Sequence, residues 1–526
     1  MAALLCLCAS SSFAAPAVRL WDGGGFPATN WSVAANWVGD VPPSPGDDIV
    51  FPAGAPGNTN YNDLGSGVSL NSVTIGGPDY LLHGVDPLAV SAGISCTNVL
   101  GNNTVLIPLA VAGSLFTISN VAGGSLSLNG SLNLNGQDAT FACGGSILMF
   151  SSITNAGSIT KVGAGSLQFG QANTYDGVTR VLEGRLTVLH NAGLGTADGG
   201  TIVAAGAELQ ILNGRSLAEP LRLAGTLSSG LSTTNEWTGP ITLLETNAAI
   251  AVNSGGAFSI SGLVDGPGGF YKTLRGELFL KADNTYTGLT AIEGGALFIN
   301  GVQPSSDVVV APGGILRGVG GRSGAVRNSA FGTIQPGDAT QLSAFNISGG
   351  LIGAAFSLID LRISAGGILD SLSVKGEVSL GGGILHVSLL GTPPPSGSAF
   401  QIIENDDTDA VVGTFAALPE GGLYILDGVV FQITYGGGDG NDVVLTRVSE
   451  PTTIGAITCL TNGFKEIRGA GLPNVLYVLE AAPDLDSIPP KWAPISTNSA
   501  SAAGVYLFID QDTSLFPMRF YRVLSP

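Results

Sequence analysis

Chemistry requires titratable side chains held at a workable separation, and this chain has few of them. Of its 526 residues 39 are acidic, 20 are basic and 3 are histidine. Two acidic runs stand out, Asp47-Asp48 and Glu404-Asn405-Asp406-Asp407-Thr408-Asp409. A polysaccharide lyase needs carboxylates gathered around calcium and a basic residue to take the proton, and a hydrolase needs two carboxylates at a set separation. Neither run is repeated on a neighbouring segment, and the second, lying between apolar strands, reads as a solvated loop. His83, His190 and His386 are the candidates to activate a Ser or Cys nucleophile. None lies near a nucleophile elbow, and no G-x-S-x-G occurs; they read as exposed turn or edge residues. Gly437-Gly438-Asp439-Gly440-Asn441-Asp442-x-Val444 fits one nonapeptide of the calcium-binding β-roll. Calcium in such rolls lies between consecutive copies, and the sequence has one. Asp439 and Asp442 are therefore noted as metal candidates, while no catalytic, cofactor-binding or metal-ligating set is assigned.

The elements that would have to position such groups are dictated by composition and by an internal repeat. Only 11% of residues are charged and 44% are hydrophobic, the reverse of what keeps a chain disordered. The 79 glycines follow no Gly-X-Y period, which excludes collagen. A net charge of −19 without a basic stripe disfavours nucleic acid and anionic lipid.

Lys161 to Val188 (KVGAGSLQFGQANTYDGVTRVLEGRLTV) aligns without a gap on Lys272 to Ile299 (KTLRGELFLKADNTYTGLTAIEGGALFI), at an offset of 272 − 161 = 111. Each copy reads as three short strands with one inward apolar row of period two. Leu167, Phe169, Val181, Leu186 and Val188 in the first match Leu278, Leu280, Ile292, Leu297 and Ile299 in the second. Asn173 and Asn284 read as turn residues that fold back on their own backbone, and Gly177 and Gly288 as tolerant of positive φ. Strands this short cannot bury a face alone; coils stacked about 4.8 Å apart can. The chain is thus predicted to be all-β: a right-handed parallel β-helix over residues 18–448, followed by a small β-sandwich. At about 22 to 25 residues per coil, the solenoid would have about 17 to 20 coils. The stretch Asn129-Gly130-Ser131-Leu132-Asn133-Leu134-Asn135-Gly136 reads either as a polar ladder up the stack or as exposed turns.

The block G-x-L-x-apolar, N-T-Y-x-G-x-T, G-x-L-x-V, in copies at about 155–188 and 266–299, resembles the autotransporter-associated β-strand repeat of bacterial passenger domains. Val308 to Leu316 with Gly332 to Asp338, and later Gly413 to Pro419 with Tyr435 to Leu445, are similar to the way such passengers continue and end. Trp21-Asp22-Gly23-Gly24, Asn30-Trp31, Asn36-Trp37 and Gly46 to Phe51 look like the first coils of secreted proteins of this kind. The resemblance implies a passenger-type solenoid, and its terminal coil accounts for Asp439 and Asp442 without a metal. No run of alternating membrane-barrel strands is expected after Leu445.

Residues 1–17 read as an export signal, with Ala2 to Leu7 as apolar core and Ser12-x-Ala14 or Ala15-x-Ala17 as cleavage candidates. Cys96, Cys143 and Cys459 are an odd, scattered set that reads as core thiols, not as a disulfide framework. A hinge at Arg447 to Thr453 separates residues 452–526, where aromatics gather. Strands are expected there at 457–460, 464–467, 476–481, 492–495, 504–509 and 518–523. The run Tyr477 to Ala481 with Trp492 and Arg519 to Val523 resembles a C-terminal module of large secreted proteins of Verrucomicrobia and Planctomycetes. The function expected is a secreted or cell-surface structural, adhesive solenoid. Its partners would be extracellular polysaccharide or other surface components, with self-association open to it. A carbohydrate-active β-helix that binds or cleaves polysaccharide is the alternative.

Overall fold

The computed structural model describes residues 16–524, apart from 232, 304–306, 365, 407, 427, 449–451, 486–488, 513–515 and 517. Residues 1–15 of the expected signal and 449–451 of the expected hinge lie outside that set. Apart from the 3-10 turn Ala34–Asn36, every regular element among the described residues is a strand. Contacts divide the chain into two compact units, Met1–Leu278 with Thr285–Gly288, and Phe279–Asn284 with Leu289–Pro526.

In the first unit, strands of two to nine residues stack in parallel, each pairing with the coil before and the coil after. Leu126 pairs with Ile147, Ile147 with Leu167, Leu167 with Leu186 and Leu186 with Leu209. All of these side chains are buried, each worth about 1.5 to 3 kcal/mol of removed apolar surface. Some coils are shorter than expected: two steps along that row are 20 (167 − 147) and 19 (186 − 167) residues, while the next, 23 (209 − 186), is within the expected range. Glycine corners allow the shortening. A Cβ on Gly165 would stand 2.1 Å from the Gly145 carbonyl oxygen of the coil below, so only glycine lets these corners stack at strand spacing. The same holds for Gly177, whose Cβ would meet Gly157 O at 2.3 Å. Its role is close approach, not the positive φ expected of it.

Asn173 also departs from expectation. It does not fold back on its own turn; it is buried, and its amide spans three coils. Its Oδ1 accepts from Ile153 N at 2.8 Å, and its Nδ2 donates to Gly193 O. Asn284 does donate locally, to Ala282 O at 3.0 Å.

An aromatic cluster fills the first coils. Trp21 meets Trp37 edge-on at 5.3 Å, and Phe51 touches Trp21, Trp31, Trp37 and Tyr80. Each indole N–H is satisfied: Trp21 on Pro56 O, Trp31 on Asn60 Oδ1 and Trp37 on Trp31 O. These rings bury the interior beside the edge strand Val18–Leu20, where an uncovered edge would invite association.

The second unit holds three parallel ladders. One runs through Thr290–Ile292, Val308–Val310, Val326–Asn328 and Leu351–Gly353 to Val378–Ser379. Another joins Gly295–Ile299 to Gly314–Arg317, Thr333–Ile334, Leu358–Ser364 and Ile384–Leu390. The third links Arg322–Ser323, Ala344–Ile347, Ser371–Val374 and Ala399–Asn405. The coils lengthen toward the end, to a step of 31 between Leu372 and Ile403 (403 − 372).

Parallel stacking then stops, well short of residue 448. Ala399–Asn405 pairs antiparallel with Asp442–Arg447, which pairs antiparallel with Val429–Gly437, itself paired with Leu423–Leu426. The fold-back satisfies backbone groups that a last parallel strand would leave bare, and fewer coils result than the sequence suggested.

The six C-terminal strands form two antiparallel sheets. One comprises Thr453–Cys459, Lys465–Ala470 and Val505–Asp510; the other Ala493–Ser499, Leu476–Ala482 and Phe520–Leu524. Ile467, Tyr477, Leu479, Tyr506, Phe508 and Val523 share one core. Val430 of the closing hairpin enters the same core, with Val448 packed against it.

Candidate functional site

The structure does not bring the two acidic runs and the three histidines together. Asp47 pairs with Arg19 at 2.7 Å and accepts from Ser44 N; Asp48 accepts from Asn71 and Ser72. Of the second acidic run, Asp406 caps Gly376 N at 2.9 Å, Glu404 is exposed, and Asp407 lies outside the described residues. His83 packs on Tyr61, His190 Nδ1 accepts from Ala192 N, and exposed His386 pairs with Asp360 at 2.7 Å. Asp439 is exposed, whereas Asp442 is buried and accepts from Asn405 N at 2.8 Å. Among the described residues no group of three His, Cys, Asp or Glu side chains stands close enough to hold a metal ion. Of the cysteines, Cys96 and Cys143 are core thiols as expected, but Cys459 is exposed on a strand of the C-terminal sheets. Burial pushes the Cys143 thiol up to about 12.

Three buried charges were not singled out by the sequence reading. Lys161 and Lys272 open the two repeat copies, and both side chains are fully buried. Lys161 sits in the inward row between Phe141 and Val181. Its ammonium donates to the carbonyls of Val162, Gly163 and Glu183, which replace the water it has lost. Lys272 donates to Thr273 O and Leu274 O at 3.1 and 2.9 Å, and burial pulls its ammonium down to about 8. Glu219 is buried with Thr201 donating to it at 3.3 Å, and burial pushes its carboxyl up to about 7. The parity of the strands held the signal for Lys161, which falls two residues from buried Ile159.

What the exterior does show is order. Ser125, Ser146, Ser166, Arg185, Glu208 and Thr226 stand in register on six successive coils. Ser146 and Ser166 share a hydrogen bond at 3.0 Å, Arg185 donates to Glu208 at 2.8 Å, and Ser228 donates to Glu208 at 2.6 Å. Of the two readings of residues 129–136, the polar ladder is represented by one rung, Asn155 Nδ2 to Asn133 Oδ1 at 2.6 Å. In the second unit, Phe331 and Phe356 take the positive-φ corner position that Gly313 and Gly382 take on flanking coils. Their exposed rings stack at 5.8 Å. The left-handed backbone costs about 1 to 2 kcal/mol at each.

Residues 159–188 and 276–297 match the family described as Passenger-associated-transport-repeat. The two repeat copies are thus similar to the repeats of passenger domains. Over 300 residues the chain is 33% identical to the "Adhesin BmaC autotransporter" of Brucella suis biovar 1 (strain 1330). That match covers 55% of this chain and 8% of the adhesin, so the chain spans only a small part of that relative. Among solved structures, the Haemophilus influenzae Hap adhesin is 10% identical, with 77% of this chain and 63% of that one covered, at a TM-score of 0.28. In this chain the first matched repeat supplies buried Lys161, the glycine corners Gly165 and Gly177 and the coil-spanning Asn173, while Lys272 stands four residues before the second.

Proposed function

We propose that this chain is an exported, non-catalytic adhesive β-solenoid that works outside the bacterial cell. The observation that carries this reading is the column of polar side chains held in register from coil to coil. It offers many weak contacts at strand spacing, which together give avidity without a deep pocket. Asp47, Asp48, Asp406 and Asp442 satisfy backbone N–H groups, side-chain donors and a cation, and do not face one another as an acid–base pair. The passenger-type repeats and the adhesin relative point the same way. Its partners are extracellular polysaccharide or other cell-surface components. Residues 452–526 are read as an attachment or sorting module of the type carried by large secreted Verrucomicrobia and Planctomycetes proteins. The excess of acidic residues makes self-association rise gradually with salt or divalent ions, as repulsion is screened.

The test is retention of cells and of a glycan panel by the purified, immobilised chain, with and without calcium. Binding without product release is expected. Shortened glycan in any well would favour the carbohydrate-active alternative, and no retention of any surface would sink the adhesive reading.

A further inference from the structure

A groove of about 270 Å³ in the second unit lies over the ladder Arg322, Asn346 and Ser373, with Val302 at one end and Ser348 and Lys375 along its side. Its two cations are exposed. In a chain with 39 acidic and 20 basic residues, Arg19, Arg185 and Arg362 each hold a carboxylate. Among the described residues Arg322 and Lys375 have no such partner. We infer that this groove binds an acidic glycan, with Arg322 and Lys375 taking the carboxylates and Asn346, Ser348 and Ser373 meeting the hydroxyls between them.

The reasons are geometric and electrostatic. Arg322 and Lys375 stand on coils two steps apart, about 10 Å at the backbone, which suits charges spaced along a polymer better than one small anion. Between them the wall carries an amide and hydroxyls. Asn346 donates to Gly321 O at 3.3 Å and Ser348 to Ser323 O at 2.6 Å, which anchors both side chains while their oxygens keep free lone pairs. Its aliphatic side chains are Val302 at one end and Ile347, which is itself buried in the core, so the wall lacks the aromatic anchors that protein partners favour. No aromatic ring lines it among the described residues, so single-stranded nucleic acid has nothing to stack on. The net charge of −19 does not cancel the pair, because charges beyond about 8 Å are largely screened at physiological salt. Glu404, in register beyond Ser373, and Asp406, held on Gly376 N, stand one coil further on and do not line the groove.

This inference rests on the adhesive reading, and its test separates the two. Binding of polygalacturonate to the full chain would be measured against the same polymer with its carboxyls reduced, and against inorganic phosphate as competitor. Arg322→Gln and Lys375→Gln would be compared with Arg327→Gln, an exposed cation on another sheet of the same unit. Each groove variant should weaken binding about tenfold, as expected for loss of one charge-assisted contact. The double variant should abolish it, with Arg327→Gln unchanged and unaltered circular dichroism throughout. The reduced polymer should not bind, and millimolar phosphate should displace little. Absence of polygalacturonate binding, equal loss in Arg327→Gln, equal affinity for the reduced polymer or full displacement by phosphate would each overturn the groove assignment. Cell adhesion that persists in the double variant while polygalacturonate binding is lost would confirm the groove as one ligand site among several. Failure of the wild-type chain to adhere to any surface would sink the adhesive reading instead.

Discussion

The stacked coils of the first unit and the two C-terminal sheets solve the same problem, burying short strands, in opposite ways. In the coils each residue's partner is its own counterpart about twenty residues away, so Leu126, Ile147, Leu167 and Leu186 repeat one contact. Polar groups in that interior are tolerated because the next coil always offers a backbone partner, as it does for Asn173 and Lys161. The C-terminal sheets have no such repetition. They depend on one aromatic cluster, with Tyr477 and Tyr506 5.0 Å apart and Tyr506 against Phe508. Coil stability is therefore a sum of nearest-neighbour terms, whereas the C-terminal sheets should behave as a single cooperative block.

The largest effect that tests this difference is Tyr477→Ala. Removing this ring from the shared core should cost about 3 to 5 kcal/mol and unfold the C-terminal sheets while the far-ultraviolet signal of the coils survives. Because Val430 belongs to that core, amide exchange in Phe431 to Leu445 distinguishes a cap from a sorting module. Faster exchange there marks a cap; unchanged exchange with altered cell location marks sorting. If the coils melt together with the C-terminal sheets, the contrast drawn above fails.

A more local loss is expected for Asn173→Ala. It leaves Ile153 N and Gly193 O without their buried partner, at a cost of about 1 to 3 kcal/mol for each group. Exchange should quicken on the coils carrying those two residues and fade with distance from them. A uniform drop in protection across the unit would mean that the stack is cooperative after all.

Next in size is a pH dependence confined to the coils. Glu219, near 7 when folded against a usual 4.5, keeps a proton in the folded chain that the unfolded chain has lost. Its contribution is therefore full below pH 4.5 and falls as pH rises toward 7. Lys272, near 8 against a usual 10.5, binds fewer protons folded than unfolded between those values, so stability recovers as pH rises across that window. Each slope is at most about 1.4 kcal/mol per pH unit. Thermal melts should show a shallow minimum between pH 7 and 8. Glu219→Gln should remove the acid-side fall and Lys272→Met the alkaline-side recovery; a profile unchanged in both variants would contradict the assignment.

The smallest effect is expected on the exterior. Ser146→Ala removes a half-exposed hydroxyl from the outward column and should change stability by less than about 0.5 kcal/mol. Its weight should appear in adhesion, where many such positions act together.

The sequence by itself determined the all-β character, the solenoid, the inward rows and the six C-terminal strands. Each of these follows from a local rule, the period of two or the turn residue between apolar runs, that acts over a few neighbours and is repeated often enough to be read. The buried rows at Leu167, Phe169 and Leu186 and at Leu278, Leu280 and Leu297 are all where that rule puts them. Only the tertiary structure decided what depends on the next coil. Gly177 is needed because Gly157 O lies beneath it, Asn173 turns inward because two other coils supply its partners, and Lys161 is buried because carbonyls converge on it. The antiparallel closure after Asn405 and the meeting of Arg322 with Lys375 along one groove belong here too. Apart from the Lys161 bonds to Val162 O and Gly163 O, these contacts join residues twenty to more than fifty positions apart, and no local pattern records which backbone group will stand opposite a given side chain once the coils are stacked.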